Sequence, residues 1–123
     1  MKLNSTIGFV LLGVAMMAAI IVYAVIKGNA PSIYDDFAQC ITDKGGQMYG
    51  AYWCHNCANT KKRFGNAFDN INYIECSSPG SNTFDLCPEI DAVPKWVRED
   101  GESLVGDVPF LNLSEFYECE LPQ

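Results

Sequence analysis

The sequence predicts a small α/β domain, with a central mixed sheet and helices on both faces, behind an N-terminal transmembrane helix. Residues 7–26 carry no charge and are long enough to span a membrane. The segments that follow alternate between helical and strand patterns and end with a hairpin and a helix, an order typical of α/β domains. A Cys-x-x-Cys pair, Cys54 and Cys57, lies where the first strand meets the second helix of this domain.

The apolar segment predicts a membrane anchor over residues 1–27. A helix of about twenty residues is roughly 30 Å long, which matches the thickness of a hydrocarbon core. A cleavable signal peptide is the alternative, but its apolar core is usually shorter, and Pro31 after Ala30 is unfavourable at a cleavage point. Residues 28–32 then form a short linker, and residues 33–123 form the domain.

The first half of the domain alternates between helix and strand. Apolar residues at helical spacing predict a helix over residues 33–43, which ends at Gly45 and Gly46. We then expect a strand over residues 47–52, a helix over 54–68 and a strand over 72–76.

The second half begins with a loop, residues 77–82, rich in Ser, Pro, Gly and Asn. Residues 83–90 have room for one or two helical turns begun by a Thr or Asp cap. Strands over residues 95–98 and 103–105 are joined by Glu99-Asp100-Gly101-Glu102 and predict a hairpin. Asn112 with Glu115 three residues later resembles a capping box for the last helix.

The cysteine count and the acidic charge limit the possible cellular compartments and the possible partners. Six cysteines, an even number, fit an oxidising compartment in which disulfides stabilise a small core. We therefore expect the domain to face the periplasm, the cell exterior or a lumen. A formal net charge of −7 argues against nucleic acid as a partner.

The Cys-x-x-Cys pair predicts a redox centre. A strand that delivers Cys54 to the first turn of a helix places its sulfur among unpaired backbone N–H groups, where a thiolate is favoured. Cys57 lies on the same helical face and can attack a mixed disulfide formed at Cys54. We therefore expect Cys54 to be the nucleophile and Cys57 the resolving thiol.

Two residues beside the pair are auxiliary candidates. A protonated His55 ring would favour the thiolate if it reaches the sulfur, and the alternative is an exposed histidine that only shapes the surface. Trp53 directly precedes the cysteine and is expected to flank the site, with core packing as its alternative.

A zinc site is the main alternative for the cysteine pair itself. A zinc site made of four cysteines needs a second close pair, and the other four cysteines are far apart in the sequence. We therefore expect no metal and no other cofactor.

Several separated segments agree, in order and spacing, with one known family. They are Phe37-Ala38-Gln39-Cys40-Ile41, Tyr49-Gly50-Ala51-Tyr52-Trp53-Cys54 with Cys57, Tyr73-Ile74-Glu75-Cys76-Ser77 and Val93-Pro94-Lys95-Trp96. Together they resemble the thioredoxin-like domains that are fused to, or work with, vitamin K epoxide reductase homologues. The resemblance covers nearly all of residues 33–119.

This resemblance implies a thioredoxin-like fold and a membrane-tethered thiol-disulfide oxidoreductase. The expected partners are client proteins with thiols or disulfides, a quinone-linked membrane oxidoreductase, and the membrane itself. The resemblance also places a cis-proline, Pro94 after Val93, beside the active-site pair, where both residues hold the client chain. The family commonly has Pro-His between the two cysteines, whereas this chain has His55-Asn56, so the direction of electron flow stays open.

The four remaining cysteines are expected to serve structure. Cys76 and Cys87 fit a disulfide that would stabilise the domain by about 3 kcal/mol, with a relay of electrons to Cys54 as the alternative. Cys40 and Cys119 pair only by elimination. The first and last helices of a thioredoxin fold usually lie on opposite faces of the sheet, so either cysteine can also be free.

Three classes of function remain at this point. The first is a disulfide oxidoreductase that acts in oxidative folding or as a thioredoxin-like reductase. The second is a binding or assembly module in which all six cysteines form structural disulfides, and the third is a small metal-binding domain. Reactivity of Cys54 separates the first two classes, and metal content separates the third.

Overall fold

The computed structural model describes residues 4–123, which divide into two compact units after Ala30. The first unit is helix α1, Ser5–Gly28. Its side chains are mostly apolar and exposed, and its mean hydropathy is 2.8 over an 18-residue window. Among the described residues it is the one helix long and apolar enough to cross a membrane.

The second unit contains three α-helices and four strands. The helices are α2 (Asp35–Asp43), α3 (His55–Phe64) and α4 (Phe110–Tyr117), and a 3₁₀ helix, Gly65–Asn70, follows α3 directly. The strands are β1 (Gln47–Gly50), β2 (Tyr73–Glu75), β3 (Lys95–Val97) and β4 (Ser103–Val105). Their order in the sheet is β2-β1-β3-β4. Strands β1 and β2 are parallel and the other pairs are antiparallel, so the predicted mixed sheet and the thioredoxin-like α/β class are confirmed.

One face of the sheet carries the main core. Met48 on β1 lies opposite Trp96 on β3, and both side chains are fully buried. The apolar faces of the three helices pack in the same cluster, which includes Phe37, Ile41, Cys57, Phe64, Leu113 and Tyr117. Because alternate residues of a strand point to opposite faces, the side chains next to Met48 and Trp96 in each strand lie on the other face of the sheet.

The loop between β2 and β3 covers the opposite face. Tyr49 and Ile74 pack there against a small cluster formed by Cys76, Cys87 and Ile90. The expectation of helices on both faces is therefore wrong in this detail. The expected helical turns over residues 83–90 are also absent, and the segment forms single hydrogen-bonded turns instead. Pro88 has no N–H to donate, and the Cys76–Cys87 disulfide holds the chain close to β2, which together prevent a regular helix.

Several predicted boundaries shift by a few residues. Strand β1 ends at Gly50 instead of residue 52, and α3 ends at Phe64 because Gly65 takes a positive φ of 59°. Helix α4 begins at Phe110 with Pro109 as its N-cap. Asn112 is therefore inside the helix, and the predicted capping box is wrong. A proline at the start of a helix costs no backbone hydrogen bond, since the first N–H groups have no partner in the helix.

Candidate active site: a dithiol at the start of helix α3

Cys54 is the N-cap residue of helix α3. Its backbone is extended, with φ −79° and ψ 116°, and its Sγ accepts a hydrogen bond of 3.1 Å from the backbone N–H of Cys57. The N–H of Cys54 donates in turn to the carbonyl of Ala51 at 3.0 Å, which closes the turn between β1 and α3. Because this end of a helix carries partial positive charge, the geometry stabilises negative charge on the Cys54 sulfur.

The two cysteines differ in their access to solvent. Cys54 is 9% exposed and Cys57 is fully buried, and both are free thiols. Burial raises the pKa of the Cys57 thiol, and the neighbouring Cys54 sulfur raises it further, while the N–H of Ala51 and the charge of Lys61 act in the opposite direction. Cys57 therefore stays protonated at neutral pH in the dithiol state, and Cys54 is the more exposed of the two residues.

Trp53 lies against the loop that follows β2. Its indole Nε1 donates to Ser77 Oγ at 2.7 Å, and its ring stacks on Phe84 with centroids 5.6 Å apart. The side chain is still 42% exposed, so it is neither a core residue nor a free one. Tyr52 is fixed by the same loop, because its hydroxyl donates to the carbonyl of Ser81 at 2.6 Å.

Glu75 links the turn that carries Cys54 to this loop. Its Oε1 accepts hydrogen bonds from the backbone N–H groups of Tyr52 and Ser77, both at 3.1 Å. Its Oε2 accepts a 2.8 Å hydrogen bond from the hydroxyl of Tyr73. This role of Glu75 was not predictable from the sequence. The only available signal was an acidic residue at the end of a strand otherwise suited to burial.

The other auxiliary candidates occupy different positions. His55 is exposed on the first turn of α3. The Val93–Pro94 peptide bond is cis, and Pro94 is fully buried. Val93 packs against the core cluster that contains Cys54 and Cys57, and also against the small cluster on the other face. The structure thus brings Val93 to the cluster that contains the dithiol.

Two disulfides account for the other four cysteines. Cys76 is bonded to Cys87, and Cys40 is bonded to Cys119, with Cα atoms 5.0 and 6.0 Å apart. The second bond is possible because α2 and α4 pack on the same face of the sheet, contrary to the expected opposite faces. Across residues 4–123, no three His, Cys, Asp or Glu side chains lie close enough together to hold a metal ion.

Comparison with known proteins bears on the chemistry of this dithiol. The chain is similar to a thiol-disulfide oxidoreductase. This relative, LTO1 of Arabidopsis thaliana, is 31% identical over 93 residues, which cover 70% of this chain and 24% of the relative. This chain thus spans about a quarter of the relative's length. No protein-family model matches the chain. The similarity supports a general role in thiol-disulfide redox chemistry.

Proposed function

We propose that this protein is a membrane-tethered thiol-disulfide oxidoreductase that exchanges disulfides with client proteins. The observation that carries the proposal is the contrast among six cysteines. Four form disulfides, whereas Cys54 and Cys57 are free thiols at a helix N-terminus, with a backbone N–H directed at the Cys54 sulfur. The similarity to LTO1 supports the same chemistry.

In the reducing direction, exchange begins with the Cys54 thiolate. It attacks one sulfur of a client disulfide, so that a Cys54–client bond forms and the other client sulfur leaves as a thiolate. The Cys57 thiol then loses its proton to water, and its sulfur attacks Cys54. The Cys54–client bond breaks, the client sulfur leaves as a second thiolate, and a Cys54–Cys57 disulfide forms. The client disulfide has then gained the two electrons that the dithiol has lost. Oxidation of a client is the same sequence in reverse.

The residues around the pair have distinct roles in the proposal. Trp53 precedes Cys54, is partly exposed and is held by Ser77 and Phe84, and we assign it to the contact with the client chain. Val93 and Pro94 are assigned to the same contact on the strength of the sequence resemblance. His55, exposed after Cys54, is assigned a modulating charge near the sulfur when protonated.

The membrane setting is part of the proposal. The length and apolarity of α1 support an anchor, and two disulfides in the domain support an oxidising compartment outside the cytosol. The sequence resemblance supports a quinone-linked membrane oxidoreductase as the partner that resets the pair. Cys76–Cys87 and Cys40–Cys119 are assigned to structure.

Trapping of clients tests this function. In Cys57→Ala the second attack is impossible, so we expect mixed disulfides with proteins bearing accessible disulfides to accumulate and to disappear on reduction. Cys54→Ala is the matched control, since it leaves a single thiol that is buried, and we expect no trapped species. Equal yields from the two variants, or none from either, would contradict the exchange mechanism.

A further inference from the structure

We propose that Lys61 is a positioning residue for the resolving step: its ammonium group, held on the ring of Tyr73, stabilises the thiolate of Cys57 as that sulfur attacks the mixed disulfide at Cys54. The inference rests on the proposed function and adds a residue that acts on one of its two steps. Because the charge of Lys61 acts on the buried Cys57 sulfur, it affects the rate of the second attack more than that of the first.

Lys61 lies one helical turn after Cys57 in α3, so the two side chains share a face of the helix. Its Nζ is 3.8 Å from the centroid of the Tyr73 ring and 5.6 Å from that of Phe68. Both distances are within the range of cation–π attraction. Lys61 is half-buried, which fixes an ammonium group that would otherwise move freely in solvent.

The Tyr73 ring is itself fixed. Its hydroxyl donates to Glu75 Oε2 at 2.8 Å, and its ring lies over Gly50, where an added Cβ would come within 2.5 Å of Tyr73 Cε2. Burial and the hydrogen bond to Glu75 raise the pKa of the Tyr73 hydroxyl, so the ring stays neutral across the working pH range. A neutral, electron-rich ring held in one place can bind an ammonium group through a cation–π interaction.

The charges that face Cys57 favour this assignment. The Cys54 sulfur, at the N-terminus of the same helix, opposes ionisation of Cys57, whereas Lys61 promotes it. On β2, Tyr73 is neutral, and Glu75 accepts three hydrogen bonds. Farther along α3, Arg63 is paired with Asp107, which leaves little net charge there. His55 is exposed on the first turn of α3.

The chemistry of the second step requires such a charge. Before Cys57 can attack, its thiol must release a proton to water from a fully buried position, where an unpaired negative charge is unfavourable. A nearby fixed cation lowers that cost. The first step uses the Cys54 sulfur, which is already stabilised by the N–H of Cys57, so Lys61 has less effect there.

The test measures both steps in one reaction. The reduced full chain in detergent is mixed with an aromatic disulfide reagent that releases one coloured thiolate at each step. The attack by Cys54 releases the first thiolate and forms a mixed disulfide, and the attack by Cys57 on Cys54 releases the second. The Cys57→Ala variant cannot make the second attack, so it shows only the first phase and identifies that phase as the attack by Cys54.

We expect Lys61→Met to slow the second phase at neutral pH by about three- to tenfold, because fewer Cys57 thiols ionise, and to move its pH profile upward. Lys61→Arg keeps the charge and should retain most of the rate. Lys62→Met removes the neighbouring, exposed lysine and should leave both phases within about twofold of the unmodified protein. If Lys61→Met does not fold, Lys61→Gln serves the same purpose.

The proposal is overturned if the second phase of Lys61→Met matches that of Lys62→Met, or if both phases slow equally, which would indicate a structural disturbance. It is also overturned if Lys61→Arg is as slow as Lys61→Met. Absence of both phases in the unmodified protein would instead contradict the exchange function itself.

Discussion

The two faces of the sheet are stabilised in different ways. On the helical face, Phe64 lies 4.6 Å from Phe110, 6.0 Å from Trp96 and 6.1 Å from Phe37, measured between ring centroids. On the loop face the buried cluster has only three members, Cys76, Cys87 and Ile90, and a disulfide joins two of them. The first face combines extensive aromatic packing with the Cys40–Cys119 disulfide, whereas the small cluster on the second face depends mainly on its disulfide.

The candidate site draws on both faces. Cys57 belongs to the packed core of the helical face, whereas Trp53 is held by Ser77 and Phe84 from the loop. The resolving sulfur is thus fully buried, whereas the residue assigned to the client contacts a loop with fewer buried residues. Segments of that kind open more readily than a packed core, which suits a surface that must accept different clients.

The largest expected effect on stability comes from the loss of an aromatic ring from the core of the helical face. We expect Phe64→Ala to lower the free energy of unfolding by about 3–5 kcal/mol, because the helical face cannot close the cavity that remains. Phe84→Ala, on the loop, is the matched control and should cost clearly less, because Phe84 is half-buried. Denaturant titration of the oxidised full chain in detergent measures both. Equal losses would mean that the faces do not differ in this way.

The next largest effect is loss of the loop disulfide. Replacing Cys76 and Cys87 together by Ala should lower the free energy of unfolding by about 3 kcal/mol, since the unfolded chain is no longer restricted across 11 residues. A structural bond predicts that Cys54 of this variant still exchanges with protein clients as well as with a small disulfide reagent. A relay role predicts that exchange with protein clients stops while reaction with the small reagent continues, and trapping assays distinguish these outcomes.

The smallest effect is a pH dependence that belongs to the helical face alone. The pKa of Cys57 is raised by folding, so below the thiol's unfolded value of about 8.5 its contribution to stability is complete. Above that value the unfolded state releases a proton that the folded state retains. The reduced protein should therefore lose up to about 1.4 kcal/mol per pH unit until the folded pKa is reached.

Cys57→Ser provides the control for this effect, because a hydroxyl does not titrate in this range. Unfolding of both reduced proteins is measured between about pH 8 and 9.5, and the effect of the tyrosines, which both proteins share, cancels in the comparison. Parallel curves for the two proteins would contradict the burial of Cys57 as the cause.

Local patterns in the sequence were sufficient for much of the fold. The spacing of Phe37, Ala38 and Ile41 predicted α2, and the Glu99–Glu102 turn predicted the β3–β4 hairpin, where Gly101 has a positive φ of 90°. These features depend on neighbouring residues only. The position of Cys54 and Cys57 at the start of a helix was predictable for the same reason.

Features that depend on distant residues were not predictable. The sequence indicated the Cys76–Cys87 disulfide but not its effect on residues 83–90, which form turns close to β2 instead of a helix. The contacts of Glu75 with Tyr52 and Ser77, and of Lys61 with Tyr73, join segments that only the folded sheet brings together. The sequence was therefore sufficient to place Cys54 and Cys57 at the start of a helix, but not to find the residues that contact this site from distant segments.

The reduction potential of the Cys54–Cys57 pair tests the central claim most directly. The full chain in detergent is equilibrated with glutathione buffers of graded potential, alkylated and analysed by mass. The account predicts that this pair alone titrates, with a midpoint between about −120 and −270 mV, while the other two disulfides stay intact. A pair that resists reduction until about −300 mV or below, or that is reduced together with Cys76–Cys87 and Cys40–Cys119, would contradict the account.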